Sequence, residues 1–589
     1  MTEATAVRDR NVDVVTIPTG EPPLDVDVLI VGAGPSGLGT AIELNRHGVQ
    51  VAVVDAATEA HLIRAGAFGH SARTVEIFRR WGLIDRIKEE WTFPPEWNKG
   101  TLFLTSLVGH RLKGTTTRSF AKGVGGRYSF EDGIRRPQTV LQKVFLEKLA
   151  SHDVPVTGGW RVIGLVQDDD GATTTIENAA TGEQRTIRSR YVVAADGSRS
   201  TVRTLAGISR SGEYATQRNF RVVVRTTGGI PETLRPYPSA TNIIFNNEYN
   251  GFLAALNATD WRIHVGPFAL DHRPTDEEFL AVGRSAFGFD VDLEVVSATP
   301  FFKSTRIADE FVRGRVVLVG DAAHVRAPGG NLGEGFGDVF NLGWKLAAVL
   351  RGTGGDDLLR SYHDERHRHN GRVSATALAA SVNSAEKWQQ IRAIGVPDDD
   401  DLSEDAQSAR QAIGSILDTG EGDDGPAPGV IFDERYDRSP VVWYEDGQLD
   451  TDEEWHPRRY VPVGRPGHRA PNGNVDPYGD TLYNRIGGET ALLVLGSQDG
   501  LVAEFAEAAR ARGILLDIVH LDESDARESY GADYALVRPD HHVAWRARAG
   551  ELVDAGAVLD RTYGRPTGRG PAGSEAAETE LVGASTDDA

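Results

Sequence analysis

The stretch "DVDVLIVGAGPSGLGTAIELNRHGVQVAVVDA" (residues 25–56) constrains the fold more than any other part of the chain. An apolar run, a glycine turn, a segment with helical apolar spacing and a second apolar run ending in an acid form one β-α-β unit. Gly32 permits the tight turn, Gly34 lets a pyrophosphate approach the backbone, and Gly37 lets the helix pack on the strand. Pro35 and Ser36 open a helix whose free N–H groups and positive dipole end suit phosphates. Asp55, 23 residues after Gly32, stands where a carboxylate accepts bonds from ribose hydroxyls. A GxGxxG alone is a weak sign, but strand, helix, strand and acid all fall in place. The unit predicts dinucleotide binding without choosing between NAD(P) and FAD.

At 589 residues the chain exceeds one ordinary hydrophobic core, so two or three domains are expected. A net charge of -22 argues against a nucleic-acid footprint and against attraction to anionic lipid. Without cysteine there is no disulfide, thiolate metal site or redox thiol pair, so redox chemistry must come from a bound cofactor. Residues 1–24 are polar and patternless, which predicts a flexible extension rather than a signal peptide. No apolar run approaches the roughly 20 residues of a membrane span, and a cytoplasmic protein is expected. His541 and His542 are read as neighbours on a strand, facing opposite ways, so no metal site is expected there.

Two further segments, "YVVAADGSRSTVR" (191–203) and "RVVLVGDAAH" (315–324), run a buried strand into a glycine-acid turn. The glycine-rich "GDAAHVRAPGGNLGEGFGD" (320–338) reads as a loop feeding a helix that starts near Asp338. The nucleotide-binding domain is therefore expected in three pieces, 25–100, 131–210 and 306–396, the last with a helical region. Residues 101–130 are an excursion and 211–305 an inserted, sheet-rich substrate domain. An acidic, mobile linker is expected over 397–440, a small α/β domain over 441–575 and a disordered tail over 576–589.

The ordered set "GAGPSG", "ADGSRSTVR", "GDAAH" and "NLGWKLAAVL", continuing through "SYHDERH" (361–367), resembles the single-component FAD-dependent aromatic hydroxylases related to para-hydroxybenzoate hydroxylase. Beyond the linker, "GHRAP" (467–471) and "LVRPDHHVAWR" (536–546) resemble the C-terminal thioredoxin-like domain of the larger members, so the likeness covers nearly the whole chain. The fold class it implies is α/β: a Rossmann-type FAD-binding domain with an inserted substrate domain, plus a thioredoxin-like domain without thiols. That last unit is expected to be structural or to form a homodimer.

Position by position, the resemblance implies that Asp196 and Gly197 touch FAD and the path of the nicotinamide donor. It puts Asp321, after Gly320, on the ribityl chain, Gln138 near ribityl and flavin, and Arg64 and Arg73 along the cofactor. Pro328 would shape the oxygen pocket beside the flavin C4a face, and His324 would act there or support the loop. Gly333, Glu334 and Gly335 would offer backbone amides to the negative charge on N1 and the C2 carbonyl of reduced flavin. The implied reaction is FAD reduction by NAD(P)H, O2 addition at C4a, and transfer of the hydroperoxide's terminal oxygen to a phenolic or polyketide-type ring. The glycine stretch is about two residues shorter than the family pattern, with Gly333 where relatives carry asparagine, and "RAGAFGHSAR" (64–73) is about two longer. The two changes are expected to compensate across one flavin face.

The same scaffold could catalyse epoxidation, Baeyer–Villiger insertion or inactivation of an aromatic antibiotic, since fold does not fix chemistry. A non-catalytic flavin-binding scaffold is the alternative from another class. A halogenase would carry WxWxIP, a disulfide reductase would need cysteine, and a two-dinucleotide reductase a second GxGxxG, and the sequence holds none of these. For phenol deprotonation His264 is a candidate base, although a strand histidine with a satisfied partner is the simpler reading. Phe245, Tyr249, Phe252 and Trp261 suit an aromatic guest but are assigned mainly to sheet packing.

Overall fold

Strand Asp25–Val31 is buried along its last four residues and pairs in parallel with Val51–Asp55 on one side and Gln184–Ala194 on the other. The computed structural model describes residues 14–61, 69–90, 92–93, 95–97, 99–113, 128–213, 217–228, 239–326, 331–417, 428–452, 454–472, 481–496, 500–521 and 524–566. Val316–Leu318 and Val156–Gly158 extend the parallel run outward, giving the order 316–318, 184–194, 25–31, 51–55, 156–158. Parallel strands buried on both faces need helical cover. Helices Pro35–Arg46, Gln138–Ala150 and Asn331–Leu350 supply it, contributing Leu38, Phe145 and Phe336 to the same core as Leu29 and Val193. The turns after residues 31, 194 and 318 all leave the carboxyl ends of these strands, where open α/β sheets bind ligands.

A second sheet has the order 293–301, 218–226, 260–268, 250–255, 241–245, 101–104, antiparallel except for the last pair. Period-two alternation sends Val222, Val224, Trp261 and Ile263 into a core closed by Phe279, Ala286 and Phe287 of helix Asp276–Phe287. That helix begins at a Thr275–Glu278 capping box and stops at Gly288, whose φ of 75° is left-handed. The third unit carries the sheet order 516–520, 490–494, 534–537, 543–547, with helices Leu501–Arg512 and Ala555–Thr562.

Four expectations are corrected. Part of the supposed flexible extension is ordered, because Val14–Thr16 pairs antiparallel with Glu59–His61. About a third of the acidic linker is helix Glu404–Leu417, whose Ile413 and Leu417 pack with Leu112 and Phe245. Its helical apolar spacing outweighs the acidic flanks. His541 and His542 lie in the turn between strands 534–537 and 543–547, His541 at φ 62°, and each stacks on a tyrosine, Tyr483 and Tyr436 respectively. The fourth concerns the glycine-rich stretch, which is helical from Asn331, seven residues earlier than expected. Glycine is a poor helix former, but here each missing side chain admits a neighbour. A Cβ on Gly335 would lie 2.7 Å from Ser36 Oγ, one on Gly337 2.7 Å from Arg366 Nη2, and one on Gly343 2.4 Å from Glu43 Cγ.

The third unit is joined to the first by buried ion pairs. Glu365 of helix Asp356–Ile394 accepts bonds from Lys345 at 2.6 Å, Arg538 at 2.6 and 2.8 Å, Asn341 at 2.7 Å and Ser439 at 2.6 Å. Arg469 donates to both oxygens of Glu76, at 2.8 and 2.6 Å. Among the described residues no helix is long and apolar enough to cross a membrane, and no group of three or more His, Asp or Glu could hold a metal ion.

Replacing Arg538 with leucine strands the Glu365 and Asp540 carboxylates without their shared cation. A loss of about 3–5 kcal/mol is expected, read as a lower urea midpoint; an unchanged midpoint would contradict the network's role. Burial also holds His70 down to about 4 and His541 well below the ordinary histidine value. Unfolding therefore takes up protons below about pH 6.5. Thermal stability should fall as pH drops from 6.5 toward 4, and a flat profile over that range would refute the assignment.

Candidate active site

The first turn is built from backbone. Gly32 has φ 112°, and a Cβ there would lie 2.4 Å from Ala195 O; on Gly37 it would lie 1.9 Å from Gly32 O. Those two glycines are needed for the chain to fit against itself. Gly34 differs, since a Cβ there meets nothing within 4 Å. Gly34 is the N-cap of helix Pro35–Arg46 and supplies no side-chain cap, so first-turn amides such as that of Ser36 are left for an outside acceptor. Asp55 braces the turn, accepting from Ala33 N at 2.6 Å and Ala57 N at 2.7 Å. Gln142, a residue the sequence did not single out, donates to Ala33 O at 3.0 Å, while Gln138 lies half-buried one turn earlier on the same helix.

At the second turn Asp196 Oδ2 accepts from Thr201 N at 2.7 Å and Val202 N at 3.1 Å, capping the helix Thr201–Leu205. Its Oδ1 is buried without a hydrogen-bond partner, and burial pushes the carboxyl up. Gly197 has φ 79° and open space where a Cβ would stand. Arg203 Nη1 donates to Ala322 O at 3.0 Å and so ties the second turn to the third.

The third turn is organised by Asp338. One carboxylate oxygen accepts from Gly320 N at 3.0 Å and His324 Nε2 at 2.6 Å; the other accepts from Arg366 Nε at 2.9 Å. Burial alone would raise the Asp338 carboxyl, but His324 and Arg366 hold it below its ordinary value. His324 Nδ1 meets Asn331 Oδ1 at 2.9 Å, and the Asn331 amide bonds Asp321. His324 is thus a fully engaged positioning residue, and the Gly320 amide is already used. Asp321 lies at the open side of the turn, reachable by solvent, and desolvation raises its carboxyl even though His324, Asn331 and Arg221 pull it down.

The side chains of Glu334 and Arg73 are both tied into ion pairs within the protein. Glu334 Oε2 accepts from Arg366 Nη2 at 3.0 Å and from His369 Nε2 at 2.9 Å. Burial would raise this carboxyl, but His369 and Arg366 hold it well down, so its side chain is committed to the protein. Arg73, buried in helix Ala72–Arg80, is ion-paired with Glu434, which also binds Arg366. A cavity of about 350 Å3 lies between these helices, lined by Ser71, Arg73, Gly333, Glu334, His369 and Val373 among others. Arg64 and Pro328 lie outside the described residues, as do residues 66–68 and the glycines of 329–330, so the compensating-loop expectation stays with the sequence.

On the substrate-domain side, Trp261 and Tyr249 are core residues and Phe245 packs with Phe103 and Trp388. His264 sits between Phe252 and Phe301, with ring centroids 5.1 and 5.3 Å away. Burial, then Arg262, Arg221 and Lys303, hold it well below the ordinary histidine value, which weakens it as the candidate base.

The residues present fit an FAD-type dinucleotide: an uncapped helix end behind a turn with space at Gly34, an orphaned acceptor on Asp196 and an accessible carboxylate on Asp321. Residues 25–377 match the FAD binding domain family and 463–566 the aromatic-ring hydroxylase C-terminal family. The 4-methyl-5-nitrocatechol 5-monooxygenase of a Burkholderia species is 31% identical over 91% of this chain and 96% of its own length. The rebeccamycin biosynthetic enzyme RebC with reduced flavin is similar with a TM-score of 0.80 at 28% identity, covering 92% of this chain and all of that one. The ternary complex of aklavinone-11 hydroxylase with FAD and aklavinone gives 0.76 at 27% identity, covering 92% and 99%.

The contrast between the glycines is testable. Gly34→Ala should leave the fold intact and weaken FAD binding at least tenfold, measured by titrating apoprotein with FAD. Gly37→Ala should lower the melting temperature of the apoprotein itself. Equal behaviour of the two variants would contradict the division between a ligand-facing and a packing glycine.

Proposed function

We propose that this chain, which belongs to the FAD-binding-domain family carrying an aromatic-ring hydroxylase C-terminal domain, is a monooxygenase that uses FAD, NAD(P)H and O2 to hydroxylate a phenolic or polyketide-type ring. The observation that carries the reading is the meeting of three glycine-acid turns at the carboxyl ends of one parallel sheet, beside a second sheet whose face bears arginines and aromatic rings. Relatives that act on aromatic compounds support it, among them one on a nitrocatechol and one bound to FAD and aklavinone.

When bound, FAD supplies electron transfer from NAD(P)H and activation of O2, which no side chain here can do. The protein's share is to hold and orient. Amides behind Gly34 receive the pyrophosphate, Asp196 and Gly197 border the cofactor, and Asp321 accepts from the ribityl hydroxyls. The 331–350 helix turns its positive end toward the flavin ring. The pieces 25–100, 131–210 and 306–396 form the cofactor domain, 211–305 receives substrate, and residues 441–575 form a thioredoxin-like unit. Without cysteine that unit is a brace, because its ion pairs run to Glu76 and Glu365.

The purified protein should be yellow, with one FAD per chain, and an accepted aromatic compound should stimulate NAD(P)H oxidation and gain one oxygen atom, read by product mass. Absence of a flavin chromophore would remove the reading. Bound FAD with no aromatic-stimulated NAD(P)H oxidation would favour the non-catalytic scaffold.

A further inference from the structure

Helical spacing builds the walls of the cavity beside Gly333. On the long helix Asp356–Ile394, His369, Val373, Thr376 and Ala380 recur at spacings of three and four residues and all border it. Helix Ala72–Arg80 adds Arg73 and Ile77, and helix Asn331–Leu350 adds Gly333 and Gly337, each pair one turn apart. Val430 and Ile431 border it from the short helix Pro428–Phe432. None of the described residues that line the cavity comes from 211–305, so this space is distinct from the sheet face of the substrate domain. Its volume of about 350 Å3 is enough for a small organic molecule.

Most polar groups at this cavity are spent within the protein. Ser71 Oγ meets Thr74 Oγ1 at 3.1 Å, Thr376 Oγ1 donates to Arg372 O at 3.1 Å, and Arg73 is ion-paired with Glu434. His369, only 2% exposed, keeps one position open. Its Nε2 lies 2.9 Å from Glu334 Oε2, and since a carboxylate only accepts, that nitrogen carries the proton. Burial holds the ring below the ordinary histidine value against the pull of Glu334, so the ring is neutral and Nδ1 is a bare lone pair. That Nδ1 is buried without a hydrogen-bond partner. An acceptor left so is costly, and a donor brought to it is rewarded. The charges around it are matched: Arg73, Arg326 and Arg366 stand against Glu334, Asp338 and Glu434. An entering ion would therefore find no counter-charge to offset its desolvation. Ile77, Val373, Ala377 and Val430 make the rest of the surface apolar.

We propose that this cavity seats a second ring of the substrate, remote from the ring that is oxidised, through a neutral O–H or N–H that donates to His369 Nδ1. His369 is then a specificity-determining residue that selects a substrate of more than one ring with an uncharged donor on the remote one. The donor keeps its proton, and no bond is made or broken in the cavity. Gly333 places the cavity against the first turn of the 331–350 helix, so a molecule seated there reaches the cofactor side of the fold. The inference rests on the proposed monooxygenase function for the ligand's identity as substrate; the cavity and its open acceptor stand without it.

The test is calorimetric titration of FAD-loaded protein with 2-naphthol at neutral pH, where its hydroxyl is protonated, with 2-methoxynaphthalene and 2-naphthoate as companions. The naphthol should bind at least about tenfold more tightly than either companion, because the ether leaves Nδ1 unpaired and the naphthoate is an unmatched anion. Binding should release no proton to the buffer. His369→Leu should erase the preference for naphthol over its ether, and His369→Gln, which keeps a donor for Glu334 and an acceptor for the ligand, should recover part of it. Ala377→Trp, which fills the cavity from the long helix, should weaken naphthol and ether alike. The wild-type comparison and Ala377→Trp keep the test decisive if His369→Leu fails to fold. Failure of naphthol to bind, equal binding of its ether, a preference for naphthoate, full preference retained in His369→Leu, or undiminished binding in Ala377→Trp would each overturn the proposal. Aromatic hydroxylation by a protein that shows no such preference would overturn it while leaving the monooxygenase reading standing. The preference in a protein whose NAD(P)H oxidation no aromatic compound stimulates would fail that reading and leave the acceptor site in place.

Discussion

Asp338 is the carboxylate on which the site depends. It is fully buried, and it gathers the Gly320 amide, the His324 ring and the Arg366 guanidinium. A buried charge survives only when its partners answer it from every side. Those partners come from the third turn and from the long helix Asp356–Ile394. Arg366 in turn meets Glu434, which holds Arg73, so one chain of charges runs from the segment entering the C-terminal unit to the turn that presents Asp321.

This wiring gives the thiol-free C-terminal unit a physical purpose. Arg538 meets Glu365 one residue before Arg366, and Arg469 meets Glu76 three residues after Arg73. The unit therefore fixes the two helices that border the cavity beside Gly333.

Much of this was legible in the chain. The 25–56 unit announced its fold because period, glycine spacing and terminal acid all agree, and local consistency of that kind is what specifies a structure. The glycine-rich stretch misled because its low helix propensity is local, whereas the contacts of Gly335 with Ser36 and of Gly337 with Arg366 are made across the fold. Asp338 was visible as a helix start and Arg366 inside "SYHDERH", yet nothing in the order of residues says that the two meet. Arg221 and Arg262 were hidden for a related reason: they stand 41 positions apart, and only strand register brings them to one face. Glu334 showed as a charge in a cofactor loop, and its consumption by His369 needed the long helix in place.

The central claim is that three turns at the ends of one parallel sheet hold a single FAD, with its ring directed at the arginine face. A crystal structure of the FAD-loaded protein tests it most directly. The account predicts pyrophosphate oxygens within hydrogen-bonding distance of the amides behind Gly34, ribityl hydroxyls on Asp321, and a flavin ring between the start of the 331–350 helix and Arg221. A pyrophosphate bound away from the Gly32–Gly37 turn, or a ring turned away from the 218–226 and 260–268 strands, would contradict it.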